Sequence, residues 1–205
     1  KFGLGGTLGI DMPNEKGGDV PSSKYYDRFY GNGRWKYSTI YSLSIGQGEL
    51  LVTPIQMANL AAIFANKGYY YTPHLIRAID GDNSIIPQEF LTKHEVGVDA
   101  HHFDMVQDAM VQALYGTAQR AIMKDIQIAG KTGTAQNPHG EDHSVFIAFA
   151  PKDNPKIAIA VYVENAGWGG RAAASTASLM IEKYLKDSIS RPDLEKYVIE
   201  GKFMN

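Results

Sequence analysis

Hydrophobic positions along this chain follow two different periods, and the change from one to the other divides it. From Thr53 onward apolar residues recur as Met57, Leu60, Ala61 and Phe64, the i, i+3, i+4, i+7 stripe of one helix face. Thr53-Pro54 supplies a capping hydroxyl and a proline suited to the first helical position, and Gly68 supplies a stop. A second helix is predicted over about 101–114, with Phe103, Val106, Met110 and Leu114 on one side. Gly116-Thr-Ala118 then opens a short helical piece running to Met123, and a last helix over about 171–186 carries Ala174, Ala177, Ser178, Ile181 and Leu185 together. Between these helices the apolar residues come in runs. Strands are predicted near 126–136, 144–151 and 156–164, antiparallel, joined by a long hairpin and by the tight Lys152-Asp-Asn-Pro155 turn. In the third, Ile157, Ile159, Val161 and Val163 alternate with Ala158, Ala160 and Tyr162. A strand apolar on both faces predicts a central place in the sheet.

The remaining stretches are less regular. Residues 1 to 38 are dense in Gly, Pro, Asn and Asp and read as turns, with the aromatics Tyr25, Tyr26, Phe29, Tyr30, Trp35 and Tyr37 expected to pack the loop rather than to wall a groove. Residues 69 to 98 read as short strands and turns, Tyr69–Tyr71 and Ile76–Ile79 being the likeliest extended pieces. Lys186 to Lys202 is charged and reads as a mobile or peripheral end. The fold class is α+β, an antiparallel sheet with helices packed on it.

The chemistry concentrates in Lys131-Thr-Gly-Thr134. On a strand, Lys131 and Gly133 share one side while Thr132 and Thr134 share the other. Gly133, without a Cβ, lets another backbone or a ligand come close. An extended peptide could pair along such a strand edge, Lys131 could meet its carboxylate, and the Thr134 N–H could face a carbonyl oxygen that becomes an oxyanion. A phosphate loop is excluded, because that motif needs a glycine where Asp125 stands. The bland alternative is a solvent-facing edge strand whose lysine discourages aggregation.

The neighbouring text decides between them. Lys131-Thr-Gly-Thr134 resembles the third active-site motif of penicillin-binding proteins and serine β-lactamases. Phe2-Gly-Leu-Gly5, Gly9-Ile-Asp-Met-Pro13, Ser44-Ile-Gly-Gln-Gly48, Thr53-Pro-Ile-Gln-Met57, Ala148-Phe-Ala-Pro151 and Val163-Glu-Asn165 are similar, in order, to elongation-type class B penicillin-binding proteins, the penicillin-binding protein 2 group. The resemblance runs over residues 1–187 and implies the C-terminal part of a transpeptidase domain, with 188–205 as a peripheral tail. It implies a D,D-transpeptidase that cross-links peptidoglycan stem peptides through a serine acyl-enzyme, is acylated by β-lactam antibiotics, and works with cell-wall elongation proteins including a glycosyltransferase. It further implies that Lys131 and Thr134 act in catalysis, that Thr132, Gly133 and Thr134 bind substrate, and that His143 is a weak further candidate near the groove mouth. Location at the extracytoplasmic face of the membrane, through an upstream anchor, follows from the same likeness, as does the absence of a cofactor.

The family's Ser-x-x-Lys and Ser-x-Asn motifs are absent: no serine here has lysine three residues on, nor Asn or Asp two residues on. Serine hydroxyls need a neighbouring base to become nucleophiles, so this chain alone is expected to be inactive. Two alternatives stay open, a noncatalytic peptide-binding or scaffolding module and a serine β-lactamase.

Bulk composition narrows the field. With 205 residues and 44% hydrophobic content the chain can build a core; a net charge of -2 argues against nucleic acid as a partner. Cysteine is absent, and no apolar run of transmembrane length occurs. His139 and His143 lie on a loop without a completing ligand set, and His101-His102, adjacent on a helix, are expected at the surface and unable to face one ligand together, so no metal site is predicted.

Overall fold

The computed structural model describes residues 1–78, 80–82 and 85–204. It divides into two compact units, one of Lys1–Gln56 with Tyr71–Thr92, the other of Met57–Tyr70 with Lys93 onward.

The first unit is mostly turn, as its glycine and proline content predicts, yet it holds helix α1, Ser23–Tyr30, and the single turn α2, Tyr37–Ile40. Aromatic packing explains α1. Tyr26, 2% exposed, lies against Tyr25, Tyr30 and Trp35, and its hydroxyl donates to Glu49 at 3.1 Å. Burial first, then the acceptor Glu49, push that phenol up to about 12. Ile76 to Ala78 form no strand, and Ile79 lies outside the described residues.

Helix α3, Pro54–Ala65, begins as its sequence predicts. The Thr53 N–H donates to Gln56 Oε1 at 3.0 Å and the Gln56 N–H to Thr53 Oγ1 at 3.3 Å, a reciprocal cap. Gln56, fully buried, also donates to the Gly6 and Gly17 carbonyls, tying the glycine-rich N-terminal loop to the helix start.

Tyr69–Tyr71 (β1) pairs with Lys93–Glu95 (β2). Helix α4, Ala100–Gly116, buries Phe103, Gln107, Met110, Val111 and Leu114. Val106 is exposed instead, because 103, 107, 110 and 114 form the inward stripe; Gln107 enters the core by donating to the Phe64 carbonyl at 2.6 Å. The short helical piece after Gly116 is a 3₁₀ turn, Gln119–Ala121.

Three strands, Ala129–Ala135 (β3), His143–Ala150 (β4) and Ile157–Val163 (β5), form an antiparallel sheet in the order β3-β4-β5. The central strand is therefore β4, not β5 as the apolar pattern suggested. Strand β5 is apolar on both sides for another reason: Ile157, Ile159, Val161 and Val163 face helix α5, Ala172–Lys186, while Ala158 joins Met110, Val111 and Phe149 on the α4 side. Two-sided burial needs a layer above and below, not a strand on each flank.

The C-terminal stretch is more ordered than its charge suggests. Pro192–Glu200 forms helix α6, held to α5 through Glu182. That carboxylate, 1% exposed, accepts from Ser190 Oγ at 2.5 Å and from Arg191 Nε at 2.9 Å. Tyr197 stacks edge-on against Phe203 and under Arg120. Burial alone raises the Glu182 carboxyl, but the bonds from Ser190 and Arg191 outweigh it and leave it below its ordinary value. The stabilisation is thus present at neutral pH and lost as acid titrates through the lowered folded value. Thermal melts of Glu182→Gln are expected to show a loss of about 1–3 kcal/mol at neutral pH and a shallower decline below the ordinary carboxylate range than the parent; equal acid profiles would exclude this role.

Candidate active site

The tetrapeptide stands on β3, the outer strand of the sheet. In register, Lys131 pairs with Ile147, Thr132 with Phe146, Gly133 with Val145 and Thr134 with Ser144, all across β4. The opposite flank of β3 has no strand among the described residues. An outer strand directs alternate N–H and C=O groups away from the sheet, available to an added strand.

Its two faces are built differently. Thr132 and Thr134 lie on the α5 side with Ser144 and the fully buried Phe146. Gly130 belongs to this side too, and a Cβ there would come within 2.4 Å of Phe146 Cζ, so glycine is a packing requirement at 130. Lys131 and Gly133 lie on the other side, in line with Val145 and Ile147 of β4 and with Ala160 and Tyr162 of β5. Here Val145 and Ile147 are only half-buried, Lys131 is exposed, and Tyr162 is 40% exposed. A Cβ at Gly133 would stand 3.5 Å from Val145 Cβ, an ordinary contact. Among the described residues nothing requires glycine at 133, unlike at 130.

Lys131 Nζ donates to the carbonyl oxygen of Thr132 at 2.7 Å, which holds the ammonium along the strand edge. Thr132 Oγ1 bonds Thr117 Oγ1 at 2.9 Å, just beyond the end of α4. Thr134, exposed, accepts the Gly169 N–H on its hydroxyl oxygen at 3.3 Å. From the sequence Thr117 has only a place at the start of the short helical piece, and Gly169 and Gly170 have no role. The run Gly167-Trp-Gly-Gly170 after β5 was the available signal, since closely spaced glycines mark close backbone approach.

His143 opens β4 opposite Ala135, at the end of the sheet that the tetrapeptide approaches. Its Nδ1 accepts the Asn165 N–H at 3.0 Å, and its ring lies 5.3 Å from that of Tyr162. Accepting at Nδ1 leaves the proton of the neutral ring on Nε2. Asn137 and Asp142 bond Asn165 and Gly167, so the β3–β4 and β5–α5 loops are joined at this end.

His101 and His102 are at the surface as expected, but their rings can face one ligand together. Their ring centroids are 3.8 Å from one another, and with Asp99 their potential ligand atoms fall within 4.8 Å, all three residues being exposed. Imidazole reaches far enough from the axis to overcome the angular step between neighbours. They sit on the first turn of α4, whose positive end opposes a cation. A cavity of about 430 Å³ beside them, lined by Lys67, Tyr69, Lys93, Glu95 and Asp99 among others, contains no part of the tetrapeptide.

Among the described residues no helix is long and apolar enough to cross a membrane. Comparison with known proteins agrees with the residues. Peptidoglycan D,D-transpeptidase MrdA of Haemophilus influenzae is 32% identical over 218 residues, spanning 96% of this chain and 33% of that protein. The structure of Pseudomonas aeruginosa PBP2 in complex with WCK 5153 superposes with a TM-score of 0.76 at 35% identity, over 91% of this chain and 42% of that one. Helicobacter pylori PBP2 in its complex with MreC gives 0.70 at 27% identity, over 89% and 34%. The chain thus spans about a third of the length of the curated relative it matches. Residues 1–182 match the family described as the penicillin binding protein transpeptidase domain, and the chain belongs to that family.

Proposed function

We propose that this chain is the substrate-binding part of a peptidoglycan D,D-transpeptidase, and that β3 binds the acyl donor as an added strand. The observation that carries the reading is the position of Lys131-Thr-Gly-Thr134 on an outer strand whose far flank has no partner strand among the described residues, with its ammonium exposed and a glycine at 133 that packing among those residues does not demand. In the full-length protein a serine outside this chain attacks the D-Ala-D-Ala carbonyl, and an amine of a second stem peptide then takes the acyl group. β-Lactams acylate the same serine.

Roles within the chain follow from placement. The Thr132 carbonyl is reached by Lys131 from outside the sheet, and Thr134, two residues on, shares its orientation, so the Thr134 N–H is directed at the open flank as one oxyanion donor. Lys131 supplies positive field, and Gly133 lets the donor backbone approach. The Thr134 hydroxyl, with Thr132 behind it, meets the substrate carboxylate. His143 supports the loop at the groove mouth. The half-buried Val145 and Ile147 are the surface on which the nucleophile-bearing part of the domain packs.

The protein acts on the extracytoplasmic side of the membrane, tethered through an upstream segment, with elongation proteins that include a glycosyltransferase; the related Helicobacter pylori protein in its complex with MreC supports such partners. A scaffolding module remains the second reading, favoured by an open strand edge in a chain without Ser-x-x-Lys. A fluorescent penicillin, followed by a denaturing gel, is expected to label the full-length protein and to leave the 205-residue chain unlabelled. A covalent band on the chain alone sinks the division of labour; none on either protein favours the scaffold.

A further inference from the structure

The β5–α5 loop lies against the back of β3 more closely than a loop with side chains could. A Cβ at Gly169 would stand 2.2 Å from the Gly133 oxygen and 2.6 Å from the Val145 oxygen, and one at Gly170 would stand 2.0 Å from the Thr117 oxygen. Neither glycine has a positive φ, so the requirement is space and not backbone conformation. The loop is fastened on both sides of this contact. The buried Ser144 hydroxyl donates to the Trp168 carbonyl at 3.1 Å and accepts the Ala173 N–H at 3.0 Å. The Arg171 N–H returns to the Trp168 carbonyl, and the Ala174 N–H to that of Gly169.

The consequence falls on one hydroxyl. A threonine hydroxyl has one proton and two lone pairs. At Thr134 the Gly169 N–H occupies a lone pair, which excludes the proton from that direction and leaves it to be donated outward from an exposed side chain. Thr132 differs, since its hydroxyl is already engaged with Thr117.

We propose that Gly169 is a positioning residue: its N–H sets the Thr134 hydroxyl as a hydrogen-bond donor to the carboxylate of the bound acyl donor or β-lactam, and its missing side chain lets the loop come close enough to do so. The inference rests on the reading of β3 given above, and the test separates the two.

In the full-length protein, second-order acylation rates are measured with benzylpenicillin and with its methyl ester, in which the carboxylate is masked. Gly169→Ala is expected to slow benzylpenicillin roughly tenfold and to leave the slower ester reaction unchanged, because only a carboxylate uses the oriented donor. Thr134→Val is expected to show the same drop, and adding Gly169→Ala to it no further one. Equal losses for acid and ester, additive losses in the double variant, or no loss at all would each overturn the proposal. Should Gly169→Ala fail to fold by thermal melting, glycolic acid at position 169, which replaces the N–H with an ester oxygen and adds no Cβ, is expected to give the same pattern; an unchanged benzylpenicillin rate there overturns it equally. Absence of any acylation in the parent protein sinks the reading of β3 itself, and this inference with it.

Discussion

Lys131→Ala in the full-length protein is expected to lower the rate of penicillin acylation by about a hundredfold or more while leaving the melting temperature within about a degree of the parent. The two halves of that expectation have separate physical sources. Stability is insensitive because the Lys131 side chain is exposed and, among the described residues, donates only to the carbonyl of the residue beside it. Reactivity is expected to be sensitive because the ammonium stands at the open edge proposed to pair with an anionic substrate, and the loss of one positioned donor at such a site typically costs two to three orders of magnitude in rate. Lys131→Arg keeps the charge but replaces a compact ammonium by a broad planar fork, so it is expected to recover only part of the loss. Stopped-flow acylation with calorimetry on the same samples checks both halves. An unchanged rate removes Lys131 from the site, whereas a collapse of the melting temperature makes the residue structural.

The candidate tetrapeptide could be placed from the sequence because its residues are consecutive. A tetrapeptide on one strand needs only the strand's period to assign its faces, and the outer position of β3 is as the exposed lysine suggested. Helix α3 was equally readable, because Thr53, Pro54 and Gln56 form a cap within four residues. The unread features depend on contacts distant along the chain. The Thr134 hydroxyl accepts from the Gly169 N–H, 35 residues on, and α6 is fastened by Glu182 through Ser190 and Arg191. Charge in the last stretch suggested a loose end, but three of its polar groups meet a carboxylate that composition cannot show to be buried. The order of strands was missed for a related reason: an apolar pattern reports how many faces are covered and is silent on flanking strands. His101 and His102 failed on side-chain length, which a count of helical steps ignores.

Phe146→Ala is expected to cost about 3–5 kcal/mol of unfolding free energy, a large share of the roughly 5–15 kcal/mol available to a domain. Phe146 is fully buried in the middle of β4, within the cluster formed by Leu114, Ile128, Ile159, Ala174 and Ile181, where several of the neighbours are alanines that cannot grow to fill the space. Its ring also covers Gly130, since a Cβ at that position would lie 2.4 Å from Cζ. The same contact predicts a compensating pair. Gly130→Ala alone forces a rigid ring aside in a packed core and is expected to cost about 1–3 kcal/mol, whereas in the Phe146→Leu background, with the distal ring carbons gone, its cost is expected to shrink to what the remaining 3.1 Å contact with Ala148 Cβ imposes. Urea unfolding of the four proteins completes the cycle. Additive losses would mean that the ring and position 130 do not press on one another, and a Phe146→Ala loss below about 1 kcal/mol would mean that the cluster does not carry the sheet. Because Phe146 stands directly across from Thr132, the proposed substrate edge and the core share one pair of residues, and Phe146→Ala is expected to weaken penicillin labelling of the full-length protein even at temperatures where the variant remains folded.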